Sequence, residues 1–194
     1  MLDTMPASAH RIALKRDFIP EDERLTLLDF ARHPTTKWIR LAPGDRWDAR
    51  TIVPSLCPDQ IATLMRDTRA RIVKTIEAHY ALTDPLYPDV VNLTRWRPGE
   101  FQPPHADREN LDGSPHPFPW RDYGCVLYIN DDFEGGGIHF PLQNLQPKIT
   151  PGMLAFFPGD VTHLHGVKPV TSGIRYTLSC FLTHDASKKE WDYV

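Results

Sequence analysis

The 194-residue sequence has only three cysteines, widely spaced and odd in number. That argues against a disulfide framework closed within the chain. Cys125 and Cys180 lie in apolar, strand-like runs and read as reduced core residues. No run approaches the ~18 apolar residues of a membrane-spanning helix. Residues 1–10 show no basic start followed by an apolar stretch, so no signal peptide is visible. Together these absences predict a cytoplasmic protein with no membrane partner. An excess of one charge is also missing. The 22 Lys and Arg against 25 Asp and Glu leave −3, which gives no electrostatic case for nucleic acid as a partner. Glycine is scarce beside proline, 11 against 19. Many prolines fall in 98–119 and 141–169, where loops and short strands are expected. No internal repeat appears. What is present, 41% apolar residues, suffices for one domain with a sizeable core over 1–194.

Residues 1–83 read as a helical half. Pro20 suits a helix start, with Glu21, Asp22 and Glu23 in the first turn. Leu25 with Leu28, and Leu27 with Ala31, give helical spacings, and Pro34 ends the run. A longer helix is expected over about 58–80, with Ile61, Met65, Thr68, Ile72, Ile76 and Tyr80 on one face. Between the two, Trp38 to Leu41 reads as a short strand.

From residue 88 the texture changes to strands. Asn92, Thr94 and Trp96 share one face of an alternating run. Phe101, Pro103, His105 and Asp107 continue an alternating register after Pro98-Gly99. Residues 108–120 read as a loop. Further strands are expected at 125–129, 138–140, 153–157, 163–167 and 174–182. In the last, Arg175, Thr177, Ser179 and Phe181 share one face, and Tyr176, Leu178, Cys180 and Leu182 the other. Short antiparallel strands after two helices predict an α+β protein: a double-sheet jelly roll over 88–185, with the N-terminal helices packed on one face.

His105-Ala106-Asp107 is the most informative triplet. A histidine and a carboxylate two apart on a strand point to the same side. Composition alone gives about 0.8 His-x-Asp triplets by chance, so context carries the weight. A second histidine from a distant strand completes a 2-His-1-carboxylate face, which leaves positions open on a non-haem Fe(II). His163 and His165, on the same face of one expected strand, both offer themselves. We choose His165, because Gly166 beside it leaves room for a ligand and Arg175 follows ten residues later. His163 is left as a supporting or surface group. Arg175 opens an apolar strand and is costly to bury unpaired. A ligand carboxylate meets its fork bidentately; an internal ion pair is the bland alternative.

The run Trp96-Arg97-Pro98-Gly99-Glu100-Phe101-Gln102-Pro103-Pro104-His105-Ala106-Asp107 resembles the aromatic-x-x-Gly…His-x-Asp stretch of the prolyl-4-hydroxylase-like Fe(II)/2-oxoglutarate oxygenases. Leu127-Tyr128-Ile129-Asn130, then Gly135-Gly136, resembles that family's Tyr-Leu-Asn strand and glycine turn. Phe156-Phe157-Pro158, His165-Gly166-Val167 and Gly173-Ile174-Arg175-Tyr176 resemble its C-terminal half. The resemblance covers about 88–185. It implies a double-stranded β-helix core, iron on His105, Asp107 and His165, and the distal carboxylate of 2-oxoglutarate on Arg175 and Tyr128. Thr177, on the Arg175 face, joins that cosubstrate group. Trp96 stands where the family more often has tyrosine.

The implied reaction is hydroxylation of an unactivated C–H bond with O₂, releasing succinate and CO₂, with ascorbate as a reductant. A small metabolite, an amino acid or natural-product intermediate, is the preferred substrate, met by Asn92, Thr94 and Trp96. Arg97, Arg108 and Arg121 would serve an acidic one, and the 108–123 loop would act as a lid. Desaturation, cyclisation or epoxidation on the same iron, and prolyl or protein side-chain hydroxylation, are alternatives. Outside the class stands a cupin-like metal-dependent binder or isomerase.

Overall fold

The computed structural model describes residues 11–42 and 44–190. His10, which has no partner at metal-ligand spacing in the sequence, lies outside them. The elements in chain order are β1 (Ala13–Lys15), α1 (Glu21–Arg32), β2 (Thr51–Ile52), α2 (Asp59–Tyr80), β3 (Tyr87–Trp96) and β4 (Gln102–His105). Then follow β5 (Tyr123–Tyr128), β6 (Phe133–Gly135), β7 (Ile138–His139), β8 (Leu154–Pro158), β9 (His165–Val167), β10 (Val170–Gly173) and β11 (Arg175–Thr183). No helix among the described residues is long and apolar enough to cross a membrane.

Helix α1 starts after Pro20, whose missing N–H costs nothing at a helix end. It buries Leu27, Leu28 and Ala31, but Leu25 is exposed, so the expected Leu25–Leu28 pair is not part of the packed face. Helix α2 buries Ile61, Met65, Thr68, Ile72 and Ile76, the stripe its periodicity predicts. It ends where Ala81 turns left-handed at φ 51°. Trp38 to Leu41 forms no strand. Ile39 instead donates to the Thr51 carbonyl and accepts from Ala49, and the strand is β2, ten residues later. The backbone leaves the extended register through the turn before Arg50, where Ala49 has φ 54°.

Six strands form one antiparallel sheet in the order β1-β8-β5-β11-β3-β2. A smaller sheet runs β4-β9-β7, and β10 pairs with β6. The central strand β11 has its expected alternation. Leu178, Cys180 and Leu182 share one buried cluster with Leu93, Leu127, Leu27, Met65 and Ile72. Arg175, Ser179 and Phe181 face a cavity on the other side. The antiparallel sheets with two helices are consistent with a jelly-roll-like core. Cys57, Cys125 and Cys180 are all free thiols.

Candidate metal and cosubstrate site

Strands β4 and β9 pair with His105 directly opposite His165. Two residues beyond His105, Asp107 is held by its N–H donating to the Gly159 carbonyl. The three side chains offer ligand atoms within 4.8 Å of one another. Asp107 Oδ1 lies 3.7 Å from His105 Nε2 and 3.6 Å from His165 Nε2. Behind the cluster, His105 Nδ1 meets the Pro103 carbonyl at 3.0 Å and His165 Nδ1 the His163 carbonyl at 3.2 Å. Each carbonyl accepts from an Nδ1–H, which leaves both Nε2 lone pairs pointing inward, the form that binds a metal.

Burial keeps these imidazoles neutral. It lowers His165 to about 4, and burial followed by the His165 ring lowers His105 to about 4. Burial raises the Asp107 carboxyl, opposed by His105 and Arg121. Asp107 Oδ2 is buried without a hydrogen-bond partner. A dication at this point would offset the desolvation of the carboxylate and take the two free imidazole nitrogens. The donor set, one hard oxygen and two nitrogens with space beside them, fits iron.

Gly124 makes room for this carboxylate. A Cβ there would stand 2.3 Å from Asp107 Oδ2. Gln102, which sequence reasoning did not single out, brings Nε2 within 3.0 Å of His105 Nε2. Its place three residues before a ligand was visible, but not that its amide turns back on the ring.

His163 departs from expectation. It does not share a strand face with His165, because Val161–His163 is a 3₁₀ turn started by the Asp160 side chain accepting from Thr162 N–H. Its ring is buried and its Nδ1 lies 2.7 Å from Asp160 Oδ1. The ligand cluster therefore takes His165 and not His163.

Deeper in the cavity, Arg175 is 1% exposed. On β11 and β5, Thr177 stands directly opposite Tyr128. Arg175 Nε, Tyr128 Oη and Thr177 Oγ1 are all buried with no hydrogen-bond partner. Burial raises the Tyr128 phenol, and the Arg175 cation opposes that rise. A cation and two hydroxyls left unsatisfied together are expensive unless an anionic ligand completes them. A carboxylate does so with charge-assisted bonds.

The cavity, about 430 Å³, is also lined by Asn92, Thr94 and Trp96 from β3. Ser179 lies opposite Asn92 in register and adds a hydroxyl to that wall. The arginines considered for an acidic substrate are occupied. Arg97 contacts Glu100 at 3.6 Å, Arg108 contacts Asp122 at 2.8 Å, and Arg121 contacts Asp89 at 2.7 Å. Arg121 also sits over the Phe118 and Phe181 rings, 3.8 Å from each.

Residues 91–183 match the family model described as the 2OG-Fe(II) oxygenase superfamily. That span contains every ligand and cosubstrate position described above. Over that span the chain is similar to the 2OG-Fe(II) oxygenase superfamily. Its curated relatives include human prolyl 3-hydroxylase 1, 27% identical over 158 residues, covering 71% of this chain and 22% of that protein. Rat prolyl 3-hydroxylase 2 is 26% identical over 182 residues, covering 78% and 26%. The chain thus spans about a quarter of the length of these relatives. Among solved structures, a viral collagen prolyl hydroxylase from Paramecium Bursaria Chlorella virus-1, in a 2OG complex, aligns with TM-score 0.63 at 16% identity. The alignment covers 92% of this chain and 98% of that one. A Pseudomonas putida prolyl-4-hydroxylase aligns with TM-score 0.59 at 20% identity, covering 91% and 94%. At such identities these two matches speak for the fold.

Proposed function

We propose that the chain is a single-domain Fe(II)/2-oxoglutarate-dependent dioxygenase that hydroxylates an unactivated C–H bond. One observation carries the reading: an inward-facing His105–Asp107–His165 cluster shares a cavity with Arg175, whose neighbours Tyr128 and Thr177 carry buried, unpartnered hydroxyls. A binder or isomerase would have no use for the second group. His105, Asp107 and His165 would hold iron, which when bound supplies the O₂ activation coupled to 2-oxoglutarate decarboxylation. Arg175 would receive the far carboxylate on its fork, with Tyr128 and Thr177 donating hydroxyl hydrogens. The apolar walls from Phe157, Ile138 and Val167 exclude water from the reacting centre.

Asn92 and Thr94, with Ser179, would present neutral hydrogen-bonding groups to the substrate. With Arg97, Arg108 and Arg121 all paired, a neutral substrate suits this wall better than an acidic one. A small metabolite fits the cavity. The second reading is a prolyl or other side chain presented on a peptide. It is favoured by a neighbouring cleft of about 540 Å³ that shares Gln102, His105, Ala106 and His116 with the first. Such a continuation suits a longer substrate, and the relatives' names point the same way.

The test is to supply Fe(II), 2-oxoglutarate and O₂ and measure succinate against a panel of free amino acids and proline-containing peptides. Coupled succinate and hydroxylated product with one class selects it. Succinate absent under all conditions, even the slow uncoupled turnover, would sink the oxygenase reading.

A further inference from the structure

Arg175 raises a question that its ligand alone does not answer. Its guanidinium is almost completely buried, yet it enters no ion pair among the described residues. Something must hold it in place before a carboxylate arrives, without using up the donors the carboxylate needs. Two aromatic rings flank the guanidinium. The guanidinium carbon lies 5.1 Å from the Tyr128 ring centre and 5.6 Å from that of Trp96. Trp96 is the register partner of Arg175 across β3 and β11. An indole N–H donates and cannot accept. The Trp96 face therefore attracts the cation through its π system while making no hydrogen bond with the guanidinium donors.

The Trp96 ring is itself held. Arg50 lies over it, 4.9 Å from the ring centre. Trp47 meets it edge-on at 5.6 Å and 73°. Arg50 is 9% exposed and pairs through Nε with Glu100 at 3.2 Å. Glu100 is fixed in turn by accepting from the Arg97 backbone N–H at 2.6 Å. A buried cation paired on one side and stacked on a ring on the other is a costly arrangement to retain.

Resting on the proposal that Arg175 binds 2-oxoglutarate, we propose that Trp96 and Arg50 are positioning residues for that clamp. The indole sets the pose of the Arg175 fork, and Arg50, anchored by Glu100, sets the indole. Trp96 then belongs more to the cosubstrate than to the substrate.

The experiment measures 2-oxoglutarate affinity by calorimetry on protein loaded with Mn(II), alongside Mn(II) affinity and steady-state KM and kcat with Fe(II). Trp96→Leu keeps apolar bulk and removes the π face; Trp96→Phe keeps a face. Trp96→Leu should weaken 2-oxoglutarate binding about 10-fold, with Mn(II) affinity unchanged and KM raised far more than kcat falls. Trp96→Phe should stay within about 3-fold of wild type, because its ring still attracts the cation. Arg50→Met should weaken cosubstrate binding and Arg50→Lys should recover it in part, since an ammonium also stacks on indole. Wild-type affinity in Trp96→Leu overturns the proposal, and so does an equal loss in Trp96→Phe and Trp96→Leu. If Trp96→Leu does not fold, the Arg50 pair decides: wild-type affinity in Arg50→Met, or no recovery in Arg50→Lys, overturns it. Arg175→Ala is the control. Unchanged cosubstrate affinity there removes the assignment beneath the proposal, a failure distinct from that of Arg50 and Trp96.

Discussion

At the scale of residues, the site is defined by what its side chains lack. Arg175 Nε, Tyr128 Oη, Thr177 Oγ1 and Asp107 Oδ2 are buried without partners, and four such groups gathered at one site call for a ligand or ion to complete them. Arg175→Ala should weaken 2-oxoglutarate binding by about 2–4 kcal/mol, the cost of truncating one member of a buried charge pair. Tyr128→Phe removes one hydrogen bond and should cost about 0.5–1.5 kcal/mol. Calorimetric titration of the two variants checks both figures, and equal affinities would place the clamp elsewhere. Gly124 gives a sharper steric test. A methyl group there would press on Asp107 Oδ2 at 2.3 Å, so Gly124→Ala should lower metal affinity at least about 10-fold, the scale of a disturbed ligand support. Isothermal titration with Mn(II) reads this directly, and unchanged affinity would mean that the carboxylate turns away at no cost. Some of these residues were legible in sequence and others were not. His105, Asp107 and Arg175 stand in short-range patterns. Arg50, Trp47 and Gly124 matter only through contacts made by folding, and nothing near them in sequence marks them.

At the scale of elements, β3 and β11 build a graded wall. Successive cross-strand pairs run from Arg175–Trp96 through Thr177–Thr94 to Ser179–Asn92, from charge at the depth to neutral polarity beyond. Asn92→Ala should leave iron and 2-oxoglutarate binding intact while separating succinate formation from product formation. Wild-type coupling in that variant, with the true substrate, would remove Asn92 from the substrate wall. The two helices and the alternation of β11 were readable because burial imposes a period of 3.6 or 2 on apolar residues. The misplaced strand at Trp38 and the supposed common face of His163 and His165 share a cause. Each lies beside a tight turn, at Ala49 and at Asp160, and a turn resets the alternation without altering the apolar pattern. The 108–123 loop is tied at both ends: the Glu109 carboxylate accepts from Val161 N–H, and Arg121 pairs with Asp89.

At the scale of the whole molecule, the binding site stands against stability in acid. His105 and His165 titrate near 4 when folded, against the ordinary 6.5. Between those values the unfolded chain holds more protons, so metal-free protein loses stability as pH falls from 6.5 toward 4. The raised Asp107 carboxyl works in the opposite direction, so the histidine contribution is read against a variant that keeps Asp107. Between pH 6.5 and 4 the thermal midpoint of chelator-treated wild type should fall relative to that of His165→Asn. The same pH dependence in both proteins would contradict a buried neutral His165.

On the proposed reading, this cavity couples iron to 2-oxoglutarate through His105, Asp107 and His165. The most direct measurement compares wild type with His165→Ala and His163→Ala, reading bound Fe(II) per chain and Fe(II)-dependent succinate formation from 2-oxoglutarate. Wild type should bind about one Fe(II) per chain, with both signals lost in His165→Ala and both kept in His163→Ala. Iron and succinate formation retained in His165→Ala would remove His165 from the ligand set.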